Sequence, residues 1–526
     1  MSDRRNRRGD GHGERSAERA ERSADRDESR PRRSGSGRSH STQAPRDRRR
    51  TGDPARHTAY RVMRAVSDGA YTNLELTQAL RRAGLDTRDA AFVTELVSGA
   101  TRWRGRYDAI IAVAADRDTS ALDPAVLDTL RLGAHQLLAM RVPQHAAVGE
   151  TVGLARAVNG IGPSKLVNAV LRRISERSLD EWLARTVPDE PPTARLAALH
   201  SHPEWVVKAL RQALLAHGSA TPDTVDDELD ALLAVDNVAP PVHLVARPGL
   251  GAEEELRAAG AREHPLGPTA WILDGGDPGR IAAVRDGRAA VQDAGSQLLA
   301  IALATVPLTG TAAAGHERWL DLCAGPGGKA GLLAALALSA DADLVAGEVN
   351  PRRAELVRST LSALEPLFSA AGRSVQVRVA DGRETGAGEP ERYTRVLVDA
   401  PCTGLGALRR RPEARWRRQP TDLATLGPLQ RDLLHSALDA TVPGGVVAYA
   451  TCSPHPAETS LVVSDVLRRR GDAERIDARE YLLDRDGHPI GGVGPGPAVQ
   501  LWPHRHGTDA MFLTLIRRSA AVSSST

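Results

Sequence analysis

The sequence predicts a multi-domain chain: an all-α bundle, a small α+β module, and an α/β Rossmann-like domain with a mostly parallel sheet. Three observations carry this. Between about residues 55 and 195, apolar residues recur at three- and four-residue spacings, the period of helices with one buried face. Ala239-Pro240-Pro241 then closes a further helical stretch and leads into short runs rich in β-formers. From about Ala289, short apolar runs alternate with helical patterns, as in a sheet covered on both faces.

The elements follow in order. Residues 1–55 hold 16 Arg against 10 Asp or Glu with almost nothing apolar to bury, a disorder signature and a candidate electrostatic arm for RNA. Helices are predicted over Ala59–Val66, Ala90–Gly105, Pro124–Met140 and Ala147–Val158. Asp123-Pro124 supplies an N-cap and first-turn proline, and Gly133 and Gly149 are interior glycines expected to admit close helix packing. A second helical stretch covers Pro203–Val235, and strands are predicted at Val242–Ala246 and Trp271–Leu273. In the third region the strands are Trp319–Cys323, Leu344–Val349, Val375–Ala380, Arg395–Val398 and Val446–Ala450. Helices fill the gaps at Ala330–Leu338, Arg352–Leu364 and Leu426–Leu438. The expected divisions are a tail at 1–55, a helical domain at 56–195, a linker and small module at 196–285, an α/β domain at 286–518 and a flexible end at 519–526.

Composition narrows the function classes. No apolar run approaches the ~20 residues of a membrane span, and the polar N-terminus has no signal-peptide core, so a cytoplasmic protein is expected. The three cysteines form no CxxC pair or Cys/His cluster, so neither a disulfide framework nor a structural metal site is expected. Lysine occurs only at positions 165, 208 and 329 against a large arginine excess, which singles out Lys329 directly after Gly327-Gly328.

Each cysteine follows a predicted strand: Cys323 in DLCAGPGGKA, Cys402 in VLVDAPCTGLG and Cys452 in VAYATCSPHPAE. Loops at one end of parallel strands converge on a crevice, so these motifs are candidates for a shared site. A lone cysteine is ordinarily a small core hydrophobe, a fair description of Cys323. Cys402 and Cys452, among Pro, Thr, Ser and Gly, fit it poorly. Cys323, Ala324, Gly325, Pro326, Gly327, Gly328 and Lys329 form a glycine-rich strand-to-helix loop suited to close approach of a ligand. Glu348 ends the next strand, 20 residues after Gly328, where a carboxylate can take ribose hydroxyls. The same stretch formally fits G-x-G-x-x-A, so a nicotinamide-binding domain is an alternative. Two thiol motifs without a hydride-transfer constellation favour S-adenosyl-L-methionine instead. Asp381 ends a third strand, in isolation an ordinary polar turn residue before Gly382 and here a candidate partner for an adenine amino group, and Asp399 precedes Pro401-Cys402. A thiolate adding to carbon 6 of a pyrimidine activates carbon 5 for methylation, and a second thiol can assist release.

ERWLDLCAGPGGKA, VLVDAPCTGLGALRRRPEARW and PGGVVAYATCSPHPAE resemble, in order, the motifs of RNA 5-methylcytosine methyltransferases of the RsmB/NOP (Sun) family. Val291-Gln292-Asp293 and Pro503–Asp509 resemble its opening and closing segments, so the likeness spans about residues 240–518. LRLGAHQLLAMRVPQHAAVGETVGLAR with GPSKLVNAVLRRI resembles the NusB-like RNA-binding domain of the bacterial branch acting on 16S ribosomal RNA. The resemblance implies a class I methyltransferase fold and S-adenosyl-L-methionine held by residues 323–329, Glu348, Asp381 and Asp399. It further implies Cys452 as nucleophile, Cys402 assisting release, Asp399 touching the cytosine, and an RNA partner with an unpaired target. Glu348 stands where Asp is commoner, Thr459 where Asn is usual, and Arg247 where an RNA-contacting Asn is expected. Two alternatives stay open: Cys402 as nucleophile, as in DNA cytosine methyltransferases, and a NusB-like RNA-binding or antitermination factor with a non-catalytic second domain. Arg409–Arg411 and Arg415–Arg418, next to the Cys402 loop, are expected to face RNA.

Overall fold

The structure, a computed structural model, describes residues 53–519. The Arg-rich tail and the C-terminal end therefore lie, but for their last and first few residues, outside the described residues. Asp53 accepts a hydrogen bond from the Ala55 amide at 3.0 Å and Pro54 fills the first turn, so the first helix, Pro54–Ser67, starts two residues before the expected domain edge. Helices Thr72–Ala83, Thr87–Arg102, Arg104–Ala115, Pro124–Leu138, Gln144–Val158 and Ile161–Ser175 complete the main bundle. Trp103 breaks the predicted Ala90–Gly105 helix in two. Asp123 caps its helix as predicted. Of the two interior glycines, Gly133 lies where a Cβ would meet Leu171 at 2.7 Å, which is the expected close packing. Gly149 has open space beside it, so no packing role exists there.

Helices Glu204–Ala216 and Val225–Val235 share a buried apolar cluster with Leu405, Leu408, Trp502 and Ala510. The linker is thus packed against the loop that follows Cys402, because its Val and Leu stripe needs an apolar partner.

The small module is a four-stranded antiparallel sheet of β1 (Val242–Ala246), β2 (Arg262–Glu263), β3 (Ala270–Leu273) and β4 (Ala289–Val291), ordered β2-β3-β1-β4. Its fourth strand lies beyond residue 285, where the sequence placed the domain edge; three residues are too few to reveal a strand by periodicity. One face of this sheet packs on its own helices, while Val245 and Ala290 on the other join the α/β core.

The α/β domain contains β5 (Arg318–Asp321), β6 (Asp343–Glu348), β7 (Val375–Val379), β8 (Tyr393–Asp399), β9 (Thr441–Thr451), β10 (Ala473–Ile476), β11 (Val499–Gln500) and β12 (Phe512–Arg518). Its order is β10-β12-β9-β8-β5-β6-β7, with β11 beside β12. β5 through β9 pair in parallel, as alternation with helices predicted, and β12 joins antiparallel to β9. Separate apolar clusters cover the two faces. No described helix is long and apolar enough to cross a membrane.

Candidate active site

The chain path reverses at β5, whose neighbours β6 and β8 are followed in opposite directions, and a crevice opens there at the strand ends. The loop 323–327 leaves β5 and enters the helix Gly328–Ser339. The Gly325 amide donates to Glu348 Oε2 at 3.1 Å, and the Asn350 amide to Glu348 Oε1 at 2.9 Å, so Glu348 is locked beside the loop. A Cβ on Gly325 would collide with that carboxylate, so glycine alone permits this approach. Asp381, just past β7, caps the turn Gly382–Glu384 and pairs with Arg383 at 2.6 Å, which holds its carboxyl below the usual range. It lies on the rim next to Glu348, whose carbonyl accepts from the Ala380 amide at 3.3 Å.

Register brings the two thiol motifs together. Asp399 on β8 pairs with Ala450 on β9, so Cys402 and Cys452 leave adjacent strands two or three residues later. Their Sγ atoms are 3.4 Å apart. The Gly406 amide donates to the Cys452 carbonyl at 2.8 Å, an approach that a side chain at Gly406 would block. Glu458, fully buried, accepts from the Thr403 amide at 2.7 Å and the Thr403 hydroxyl at 2.5 Å, tying the turn after Cys452 to the Cys402 loop.

The surroundings distinguish the thiols. The hydrogen bond from Cys402 favours the Cys452 thiolate against burial and the Asp399 charge, and the Arg411 and Lys329 cations add to it. Cys402 is pushed up by that same hydrogen bond, by burial, and by the Cys452, Glu458 and Asp399 charges. The two thiols are thus biased in opposite directions, Cys452 towards the thiolate and Cys402 towards the protonated form. Lys329 donates to Asp399 Oδ2 at 2.9 Å. Burial opposes its charge, yet Asp399, Cys452 and Asp321 hold its pKa above the ordinary lysine value. Cys323, buried among Asp321, Asp399 and Glu348, stays a neutral thiol.

Sequence reasoning missed Asp321. It ends β5 almost fully buried, and neither carboxylate oxygen has a hydrogen-bond partner of ordinary geometry among the described residues. Burial, then Asp399, raises its pKa to about 7. An acid inside the apolar run WLDL was the available signal. Glu458, Thr403 and Arg411 were likewise missed as groups that shape the site.

One expectation is corrected, and two departures from the family pattern take structural settings. Arg415 is fully buried, donating to the Asp236 carbonyl at 2.6 Å, Asn237 Oδ1 at 2.7 Å and more distantly to the Arg102 and Ser201 carbonyls. Arg409 is buried and donates to the Gly507 carbonyl, and Arg410 pairs with Asp509. Arg415 thus joins the linker and helical region to the α/β domain, while Arg409 and Arg410 brace the α/β domain internally. Arg247, also buried, donates to the Gly287 and Thr360 carbonyls at 2.5 and 3.2 Å, bracing the small module on the α/β domain. Thr459 is buried with its hydroxyl on the His455 carbonyl, so the loop with the unusual residue is an internal turn.

A parallel sheet with a reversal point at a glycine loop, flanked antiparallel by β12, defines a Rossmann-like methyltransferase with a NusB-like helical region before it. Residues 310–517 match the family "16S rRNA methyltransferase RsmB/F" and residues 53–176 the NusB family. A Mycobacterium tuberculosis H37Rv protein, Rv1407, named provisionally as a methyltransferase, is 50% identical over 475 residues, covering 90% of this chain and 98% of its own. The ribosomal RNA small subunit methyltransferase B of Pseudomonas syringae pv. tomato DC3000 is 30% identical over 477 residues, covering 89% and 97% respectively. The crystal structure of PH0851 shares the fold, with a TM-score of 0.70 at 20% identity over 89% of this chain and 99% of that one. The chain belongs to the RsmB/F family of 16S rRNA methyltransferases.

Proposed function

We propose that this protein methylates carbon 5 of an unpaired cytosine in RNA, most directly 16S ribosomal RNA, through a covalent adduct with Cys452, using S-adenosyl-L-methionine. The observation that carries this is the thiol pair at 3.4 Å, with Arg411 and Lys329 on the Cys452 side. The residues fit the cofactor. Asp321 and Glu348 put negative charge at the glycine loop, and Glu348 occupies the Gly325 amide that a pyrophosphate would need. That favours a cationic sulfonium cofactor over a nicotinamide dinucleotide. Residues 323–329, Glu348, Asp381 and Asp399 would hold it; when bound, it supplies an electrophilic methyl group.

The Cys452 thiolate bonds to carbon 6 of the ring, and the carbon 5–carbon 6 π electrons become available at carbon 5. Asp399, held by Lys329, lies at the strand end to orient the ring amidine. Once carbon 5 carries its methyl group, its proton leaves to a base, and the returning electron pair breaks the carbon 6–sulfur bond. Cys402, positioned by Glu458 through Thr403, assists that release. Free thiols require a reducing compartment, which supports action in the cytoplasm. Labelled methyl transfer to protein-free small-subunit RNA, with the product nucleoside identified, tests the proposal; label on any atom other than cytosine carbon 5 overturns it.

A pH dependence follows from Asp321. Its carboxyl is neutral below about 7 and ionised above. A cation binds the ionised form better, so cofactor affinity should rise across roughly pH 6 to 8 and then level off. Calorimetric titration of S-adenosyl-L-methionine should show this slope in wild type and a flat profile in Asp321→Asn.

A further inference from the structure

Tyr71 occupies the turn between helices Pro54–Ser67 and Thr72–Ala83 and is 46% exposed. It is the only exposed Phe, Trp or Tyr among the described residues, in a chain that is 3% aromatic. Two guanidinium groups from the far side of the molecule's sequence lie against its ring: Arg417 at 5.0 Å and Arg411 at 5.6 Å from the ring centre. Arg417 also donates to the Ala70 carbonyl at 2.7 Å, and the Thr72 hydroxyl donates to Glu413 at 2.9 Å, so turn and segment are fastened together. Neither Arg411 nor Arg417 forms an ion pair with a carboxylate among the described residues. The same segment reaches the thiols. Arg418 donates to the Thr403 carbonyl at 3.0 Å and the Cys402 carbonyl at 3.3 Å, and the Arg411 charge acts on Cys452.

A half-exposed aromatic ring with two guanidinium groups against it, on the segment that also holds the Cys402 loop, matches the two parts of a nucleotide. The ring offers an apolar π surface to a base, and the guanidinium groups offer charge and planar donors to a phosphate. Arg415, Arg409 and Arg410 are already engaged with carbonyls or Asp509, so charge for a polyanion remains at the Tyr71 end of the segment. We propose that Tyr71, Arg411 and Arg417 form the docking site for the nucleotide next to the target cytosine, its base packing on Tyr71 and its phosphate held by the arginines. The proposal rests on the RNA-methylation function given above. The helical region supplies the ring and the α/β domain the charges, so the site exists only where the two meet.

The test uses the full chain with Tyr71→Ala, Tyr71→Phe and Arg417→Gln, assayed on protein-free small-subunit RNA. Tyr71→Ala should raise KM for RNA about tenfold, with kcat and cofactor affinity within about twofold of wild type. Tyr71→Phe should behave as wild type. Arg417→Gln should raise KM and reduce the salt dependence of RNA binding by about one in logarithmic slope. An unchanged KM in Tyr71→Ala overturns the site, and so does a loss confined to kcat with a lowered melting temperature, which would make the ring a structural staple. If wild type transfers no methyl group, the function fails first. Filter binding of the same RNA still decides the site, by whether Tyr71→Ala weakens it.

Discussion

Replacing Cys452 with alanine should abolish methyl transfer, by at least about a thousandfold, while replacing Cys402 should leave protein covalently joined to RNA. The asymmetry comes from the charges around two otherwise similar thiols. Cys452 has the hydrogen bond from Cys402 and the Arg411 and Lys329 cations to lower its pKa, so it ionises more readily than an ordinary thiol. Cys402 has the Glu458 and Asp399 carboxylates near it and keeps its proton. Without Cys402 the attack still occurs, but elimination loses its assistance and the adduct accumulates. A denaturing gel with labelled RNA reads this directly as a shifted band in Cys402→Ala that is absent in Cys452→Ala. The reverse pattern would assign attack to Cys402, as in DNA cytosine methyltransferases. Because Cys402 supplies the hydrogen bond that most lowers the Cys452 pKa, adduct formation in Cys402→Ala should require higher pH than the same step in wild type.

Arg415→Ala should be the most destabilising change in the segment after Cys402, by about 3–5 kcal/mol. The fully buried guanidinium satisfies the Asp236 carbonyl and Asn237 Oδ1 at short range and the Arg102 and Ser201 carbonyls at longer range. Truncation leaves these acceptors dry and opens a cavity between the helical region, the linker and the catalytic loop. Arg415→Lys should rescue little, since one ammonium cannot reproduce a planar fork pointed at several acceptors. Thermal unfolding checks the prediction. An RNA-facing arginine would instead leave the melting temperature unchanged and reduce the salt dependence of RNA binding.

The convergence of the candidate site's motifs was legible in the sequence. Cysteines after Asp-Ala-Pro and after Ala-Thr each follow an apolar run, and parallel strands deliver such loops to one edge, so Cys402 and Cys452 could be expected near each other. The glycine loop with Glu348 one strand later is local in the same way. Residues whose role depends on a distant partner were not legible. Arg411 and Arg415 are the same residue type four positions apart, yet one leans on an exposed Tyr71 and the other is sealed among carbonyls from three regions of the chain. Gly133 and Gly149 look alike in sequence, but only Gly133 meets a neighbouring side chain.

The sequence by itself determined the helical region before the α/β domain, the strand–helix alternation and the candidate site motifs, because these follow from periodicity and short motifs. Only the tertiary structure decided which thiol faces cations, that Asp321 is buried enough to titrate near neutrality, and that the arginine run divides into braces and a free end. The physical reason is common to all three. Ionisation and exposure are set by what lies within a few ångströms in space, and here those neighbours are up to about 340 residues away along the chain, as Thr72 and Glu413 are.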